Sequence, residues 1–380
     1  MKVLVVKLSP IEAITSSMFR TMAVARGLVE KGNSVDFLVI PMSSLLSKAA
    51  EKPFVKQFNV IRTSKSNAYE NNVIQADNGF KKFKKAFLRK IWHTFSVYDY
   101  TYLIAKKIKI DLLPTKEYDV VISSSDPKSS HVVVESLKKQ GLKYKRWIQY
   151  WGDPLSIDIT QKSIYPKWVL RQIEKNLIKN ASKIVYASPF TLQEQQRLLK
   201  KYRDKMVFIP TAYMEEELYP KTNNEKFVIG YYGNYNSKVR NIIPFYNACK
   251  SLGDRVNVAI YGDTDIKLEA TENIQVYERG IVDEHKKTAD LLVCILNSSG
   301  TQIPGKLYHL AGTNKKVLVI VDGEQKQEMR EFLLSFNRFY VCDNTQKDIE
   351  ETISTVMLED KQFFPLPELK YDYITARIME

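Results

Sequence analysis

A chain of 380 residues with 44% hydrophobic and 26% charged side chains has the balance of a folded protein long enough for two domains. Lysine and arginine outnumber aspartate and glutamate 57 to 43, leaving +14 at pH 7, a charge that admits nucleic acid, an anionic membrane surface or phosphate-bearing ligands. No window approaches the ~20 continuous apolar residues of a membrane span.

At the N-terminus, MKVLVVKLSP has an apolar run of about five residues, broken by Lys7 and lacking a small-residue cleavage site. It therefore reads as a buried first strand rather than a secretory signal. VLVVKL (residues 3–8) is that strand. Residues 16–32, SSMFRTMAVARGLVEKG, repeat their apolar positions with helical spacing and end on glycine. NSVDFLVIP (33–41) is the next strand, so the chain opens with a βαβ unit and a parallel sheet is expected. YDVVISSS (118–125) is a further strand, ending in the polar loop DPKSS before a helix from about residue 131 to 140. RWIQYWGDP (146–154) runs from strand into loop, and KIVYAS and MVFIPTAY close this half.

The pattern then restarts. KFVIGYYGN (226–234) is a strand and loop, and IIPFYNACKSLG is a helix. VNVAIYGD, IQVYERG, ADLLVCIL and KKVLVIV are strands separated by short helical pieces. The expected fold is α/β, with two Rossmann-like, doubly wound domains facing a cleft. They are residues 1–210 and 225–364, with a helix over 365–380 packing back on the first. In such sheets ligands bind beyond the carboxyl ends of the strands. The loops SSSDPKSSH, YWGDP, GNYNSKVRN, YGDTD, ERGIVDEH and NSSGTQIPGK all fall there.

Three cysteines, Cys249, Cys294 and Cys342, are too scattered for a disulfide framework or a zinc site, so a reducing cytoplasm is expected. HExxH, GxSxG and P-loop patterns are lacking, and no GxGxxG follows the first strand. This argues against a protease, an esterase, a P-loop NTPase or an ordinary dinucleotide dehydrogenase. Asp263 and Asp265 of the DTD triplet read as a solvated loop rather than a metal site.

The positive charge concentrates in GFKKFKKAFLRKIWHTF (79–95), with Lys81, Lys82, Lys84, Lys85, Arg89 and Lys90 and no acidic residue. Phe80, Phe83, Phe87, Ile91 and Phe95 fall on one helical face, with Trp92 beside it. A basic amphipathic helix with aromatics is a membrane-surface element, or else a helix packing its aromatics on its own domain. Each basic residue near an anionic leaflet contributes on the order of 1 kcal/mol. No nucleic-acid-binding motif appears, so nucleic acid is not an expected partner.

In order along the chain, YYGNYNSKVRNIIPFYNA, VAIYGD, YERGIVDEHKKTADLLVCILN and QIPGKLYHLAGTNKKVLVIV resemble the donor half of glycosyltransferase family 4-like enzymes of the GT-B fold. ASKIVYASPFTLQEQQ followed by VFIPTAY, and RWIQYWGDP, are similar to segments of the other half. The resemblance covers most of the chain outside roughly residues 45–115. It implies a transferase moving a sugar from a nucleotide-sugar donor to a glycan acceptor, with retention at the anomeric carbon and no cofactor or obligatory metal. Two departures stand out. Thr301 and His309 occupy the places of a frequent glutamate pair, and SPIEAITSS lacks a frequent glycine pair.

The resemblance places a phosphate-contacting cation at Arg240, with Lys238 beside it. Gly233 and Asn234 let backbone approach a ligand closely. Lys306 follows Ile303, Pro304 and Gly305 at a helix start, where unpaired N–H groups favour phosphate. His309, on the same helix face, can hydrogen-bond ribose or phosphate, or serve as a structural histidine. His131 is a candidate contact for the transferred sugar or the acceptor. Asp153 is a candidate for acceptor-hydroxyl contact. Combined with the basic helix, the acceptor is expected to be a lipid-linked intermediate of surface-polysaccharide synthesis, met at the inner face of the plasma membrane. A nucleotide-sugar epimerase of the same fold, or a non-catalytic nucleotide-sugar-binding subunit, are the alternatives.

Overall fold

A computed structural model describes residues 1–41, 53–63, 87–88 and 90–380. The chain forms two compact units, one of Met1–Ala212 with Tyr371–Glu380 and one of Tyr213–Lys370.

The first unit is built on seven strands: β1 (Lys2–Val6), β2 (Ser34–Val39), β3 (Asn59–Arg62), β4 (Glu117–Ser124), β5 (Lys143–Trp151), β6 (Lys183–Tyr186) and β7 (Met206–Phe208). They lie in the order β3-β2-β1-β4-β5-β6-β7, each parallel to its neighbours. A parallel sheet is covered on both faces, so its inner strands are continuously apolar, and Val3, Leu4, Val5 and Val6 are wholly buried. The connecting helices are α1 (Ser16–Glu30), α2 (Thr101–Ala105), α3 (Ser129–Lys139), α4 (Lys167–Ile178) and α5 (Pro189–Leu198). Thr15 caps α1 by accepting from the Met18 amide, which satisfies one of the orphan donors of the first turn.

The second unit repeats the plan with β8 (Phe227–Tyr232), β9 (Val256–Tyr261), β10 (Ile274–Tyr277), β11 (Leu291–Ile295), β12 (Lys316–Val321) and β13 (Tyr340–Asp343). Their order is β10-β9-β8-β11-β12-β13, again all parallel. Its helices are α6 (Ile243–Leu252), α7 (Asp283–Thr288), α8 (Gly305–Leu310), α9 (Lys326–Leu334) and α10 (Gln346–Leu358). In each sheet the order reverses at one place, between β1 and β4 and between β8 and β11. That reversal opens a crevice at the carboxyl ends of the strands.

The chain ends in α11 (Tyr371–Met379), which belongs to the first unit. Gly27 of α1 meets it so closely that a Cβ there would lie 2.3 Å from Thr375 Oγ1 and 2.9 Å from the Tyr371 carbonyl oxygen. Arg26 stacks over the Tyr371 ring at 4.3 Å, and Tyr371 donates to Glu30. Arg146 and Lys183 donate to the carbonyls of Met379 and Arg377.

Candidate functional site

The loop after β8 is held open by its own hydrogen bonds. Asn236 Oδ1 accepts from the amides of Lys238 and Val239, an Asx-type turn. Arg240 folds back, donating to the Asn234 carbonyl and to Asn297 Oδ1, both at 2.8 Å. Asn297 lies just beyond β11, so the pair bridges the place where the strand order reverses. Asn234 Oδ1 accepts from the Asp263 amide, and Asp265 accepts from the Ser237 amide and hydroxyl. The DTD aspartates thus serve this loop.

Lys306 is the second residue of α8. Its ammonium lies 4.0 Å from the centroid of the Tyr231 ring, buried and without a hydrogen-bond partner. Burial lowers its pKa to about 8, and the nearby Arg240 guanidinium pushes the same way against Cys294. A Cβ at Gly233 would sit 2.8 Å from Lys306 Nζ, so a larger residue there would push the ammonium aside. Among the described residues neither Lys306 nor Arg240 forms a salt bridge. A desolvated ammonium without an anion is costly; here two cations share a crevice with no carboxylate between them.

The other predicted donor residues separate by position. Gly233 and Asn234 lie on the same loop as Arg240. Lys238 is exposed, its side chain directed to solvent. Ile303 is buried, and Pro304 precedes α8 as its N-cap residue. His309 lies at the end of α8, and Thr301 is partly exposed. The helix start carries less weight than the sequence suggested: α8 has six residues, so its dipole is small and the full charge of Lys306 dominates. Sequence reading missed Tyr231 and Asn297, which position the two cations. It also missed an aromatic group at the ends of β9 and β10, where Tyr261 stacks on Tyr277 at 4.4 Å and meets His285 Nε2 at 2.7 Å.

In the first unit the reversal between β1 and β4 holds a charged cluster. Lys7 is wholly buried and donates to the carbonyls of Ser125 and Asp126. Arg20 donates to Ser125 O and lies over the Tyr150 ring. Lys128 binds Asp126 at 3.0 Å and Asp158 at 2.7 Å. Burial opposes the Lys128 charge, but Asp126, Asp158 and Asp153 together hold it protonated well above the usual range. Asp153 stands beside this network. Burial, then the charges of Asp126 and Asp158, push its carboxyl up to about 7, against Lys128 and Arg20. It can therefore hold or release a proton near neutrality.

His131 is a correction. It is wholly buried, with its ring 4.3 Å from that of Trp151 and Nδ1 2.7 Å from Ser123 Oγ. Trp147 donates to the same Ser123 oxygen, leaving the serine hydroxyl hydrogen for Nδ1. Burial pushes the imidazole down to about 3, so it is a neutral core histidine closed off from a sugar.

Of the basic segment, Lys81, Lys82, Lys84, Lys85 and Arg89 lie outside the described residues. Lys90 is exposed. Trp92 turns inward, donating from Nε1 to the Tyr98 carbonyl and stacking on Tyr100 at 5.2 Å. Among the described residues no helix is long and apolar enough to cross a membrane.

No protein-family model and no curated protein matches the sequence. Solved structures do match. HepE from Anabaena, in complex with UDP and glucose, superposes at a TM-score of 0.54 with 10% identity, covering all of this chain and 94% of its own. A glycosyltransferase from Rickettsia africae superposes at 0.55 with 14% identity, covering 100% and 93%. The fold is GT-B. A putative UDP-N-acetylglucosamine 2-epimerase from Listeria monocytogenes matches too, at 0.50 with 11% identity, covering 100% and 94%. GT-B thus spans more than one chemistry, and function has to be argued from the side chains.

Proposed function

We propose that this GT-B chain is a glycosyltransferase that takes a sugar from a nucleotide-sugar donor. The observation that carries this is the pair Arg240 and Lys306, two cations at the order reversal of the second sheet that have no carboxylate partner among the described residues. A diphosphate supplies the missing negative charge. As the bond between the sugar C1 and the phosphate oxygen breaks, its electron pair stays on the diphosphate, and the two cations stabilise that growing charge. The acceptor oxygen forms the new bond to C1, and its proton passes to the departing phosphate oxygen. Asp153 acts as an acceptor-hydroxyl contact. Retention and independence from metal rest on the sequence resemblance.

The acceptor in this reading is a glycan, in particular a lipid-linked intermediate of cell-surface polysaccharide, extended by a cytoplasmic protein at the inner membrane face. An epimerase is the second reading, favoured by the Listeria neighbour. It would interconvert donor sugars without an acceptor. The test is a thermal-shift screen against nucleoside diphosphates and nucleotide sugars, with Arg240→Ala and Lys306→Ala alongside. Stabilisation of the parent and its loss in both variants is expected. If the parent binds none, or the variants bind equally well, the donor site lies elsewhere.

A further inference from the structure

The acceptor reading asks for contact with an anionic membrane but leaves open which surface makes it. Two separate stretches of the first unit join in one exposed apolar face. Residues 87–88 and 90–95 are helical. Phe87, Leu88, Ile91 and Phe95 fall within one arc of that helix, and all four are exposed, Phe95 at 62%. The opposite side is the packed one, because Trp92 and His93 lie against Tyr100.

Beside this helix runs the segment leading into α4. The Ile164 amide donates to the Thr94 carbonyl at 3.0 Å, and Tyr165 reaches the Phe95 carbonyl. Ile164 is 62% exposed and Trp168, in the first turn of α4, 70%. Single exposed apolar residues are ordinary, but a contiguous patch marks an interaction surface.

We infer that this face docks on an anionic lipid bilayer, with Ile164, Trp168 and Phe95 entering the headgroup region. The charge around it selects that occupant. Residues 90–98 and 159–173 contain no aspartate or glutamate, while Lys90, Lys162 and Lys167 are exposed and Arg171 is partly so. Aromatic side chains with a basic surround match a negatively charged interface, where the rings sit among headgroups and each cation adds attraction. The indole expected from sequence to mark the membrane, Trp92, is turned into the protein, and Trp168 stands in its place. The inference is independent of the sugar-transfer reading, and its test reads no activity.

The experiment sediments the full chain with phosphatidylcholine vesicles and with vesicles carrying about 30% phosphatidylglycerol. Tryptophan quenching by brominated lipid is followed in parallel. Trp147 and Trp151 are wholly buried and Trp92 is half-buried with its ring on Tyr100, so Trp168 is the indole most open to lipid. Expected results are a preference of about tenfold or more for the anionic vesicles, weakened at high salt, and quenching that Trp168→Phe largely removes while binding persists. Ile164→Ser with Trp168→Ser, and separately Lys162→Glu with Lys167→Glu, each weaken binding about tenfold. All these positions are exposed, so an unchanged melting temperature checks the fold. Equal binding to both vesicles, or quenching unchanged in Trp168→Phe, overturns the inference. So does a dimer, seen without lipid, that the double serine variant converts to monomer; that result would assign the face to a second copy of the chain.

Discussion

Lys306 bears a charge that the folded protein holds at a cost. Its ammonium is desolvated over the Tyr231 ring, and its pKa near 8 lies below the ordinary value of a lysine. A bound diphosphate would favour the protonated form, so affinity is linked to that proton. Binding is then full below about pH 7 and falls as pH rises through 8. Lys306→Met keeps the stem and removes the charge. It is expected to weaken nucleoside diphosphate binding at pH 7 by about tenfold to a hundredfold and to flatten the pH profile, as read by calorimetric titration. The same change is expected to raise the melting temperature, because an unneutralised buried charge is lost. A lysine with only a structural role would instead lower it. Asp153 makes the converse case. The native carboxyl keeps its proton up to about pH 7, whereas the unfolded chain releases it near 4, so raising pH between those values costs the native state. Asp153→Asn should therefore stabilise the protein at pH 8 by roughly 1 kcal/mol, discounted for solvent screening, with little effect at pH 4. Equal shifts at both pH values would mean that the native carboxyl titrates as it does in the unfolded chain.

At the scale of elements, much of the architecture was legible because parallel strands covered on both faces leave continuous apolar runs. VLVV, VVIS, LLVCI and VLVIV announce themselves. The strands β3 and β13 did not. Each has four residues, stands at a sheet edge, and begins or ends with a polar side chain. The loop cation Arg240 could be picked from the sequence, but its partner Asn297 lies 57 residues on and is joined to it only by the order of the strands. His131 misled because a polar neighbourhood, SSSDPKSS, surrounds it in sequence. In space it is wholly buried, hydrogen-bonded to Ser123 and packed on the Trp151 ring, behind the charged cluster rather than part of it. The contact of α1 with α11 is likewise invisible locally, since Gly27 sits mid-helix with no turn to explain it. Gly27→Ala drives a methyl into Thr375 and the Tyr371 carbonyl. A loss of about 1–3 kcal/mol is expected in urea unfolding, despite the better helix propensity of alanine. An unchanged midpoint would mean that the two helices part without penalty.

For the whole molecule, the first unit is discontinuous in sequence. Its sheet is complete by Phe208, yet α11 comes from the far end of the chain, after the entire second unit. Deleting residues 371–380 should raise hydrogen exchange in α1 and β5, which lose Thr375 and the Met379 carbonyl, and leave β8 to β12 protected. Exchange that rises equally in both units would show that the two unfold as one. On the ribosome this arrangement imposes an order. The first sheet can assemble early, but its covering helix emerges only after a further stretch that takes roughly 10–30 s to translate. Through that interval the α1 surface around Gly27 is left bare, so a nascent chain stalled within the second unit would present it to chaperones.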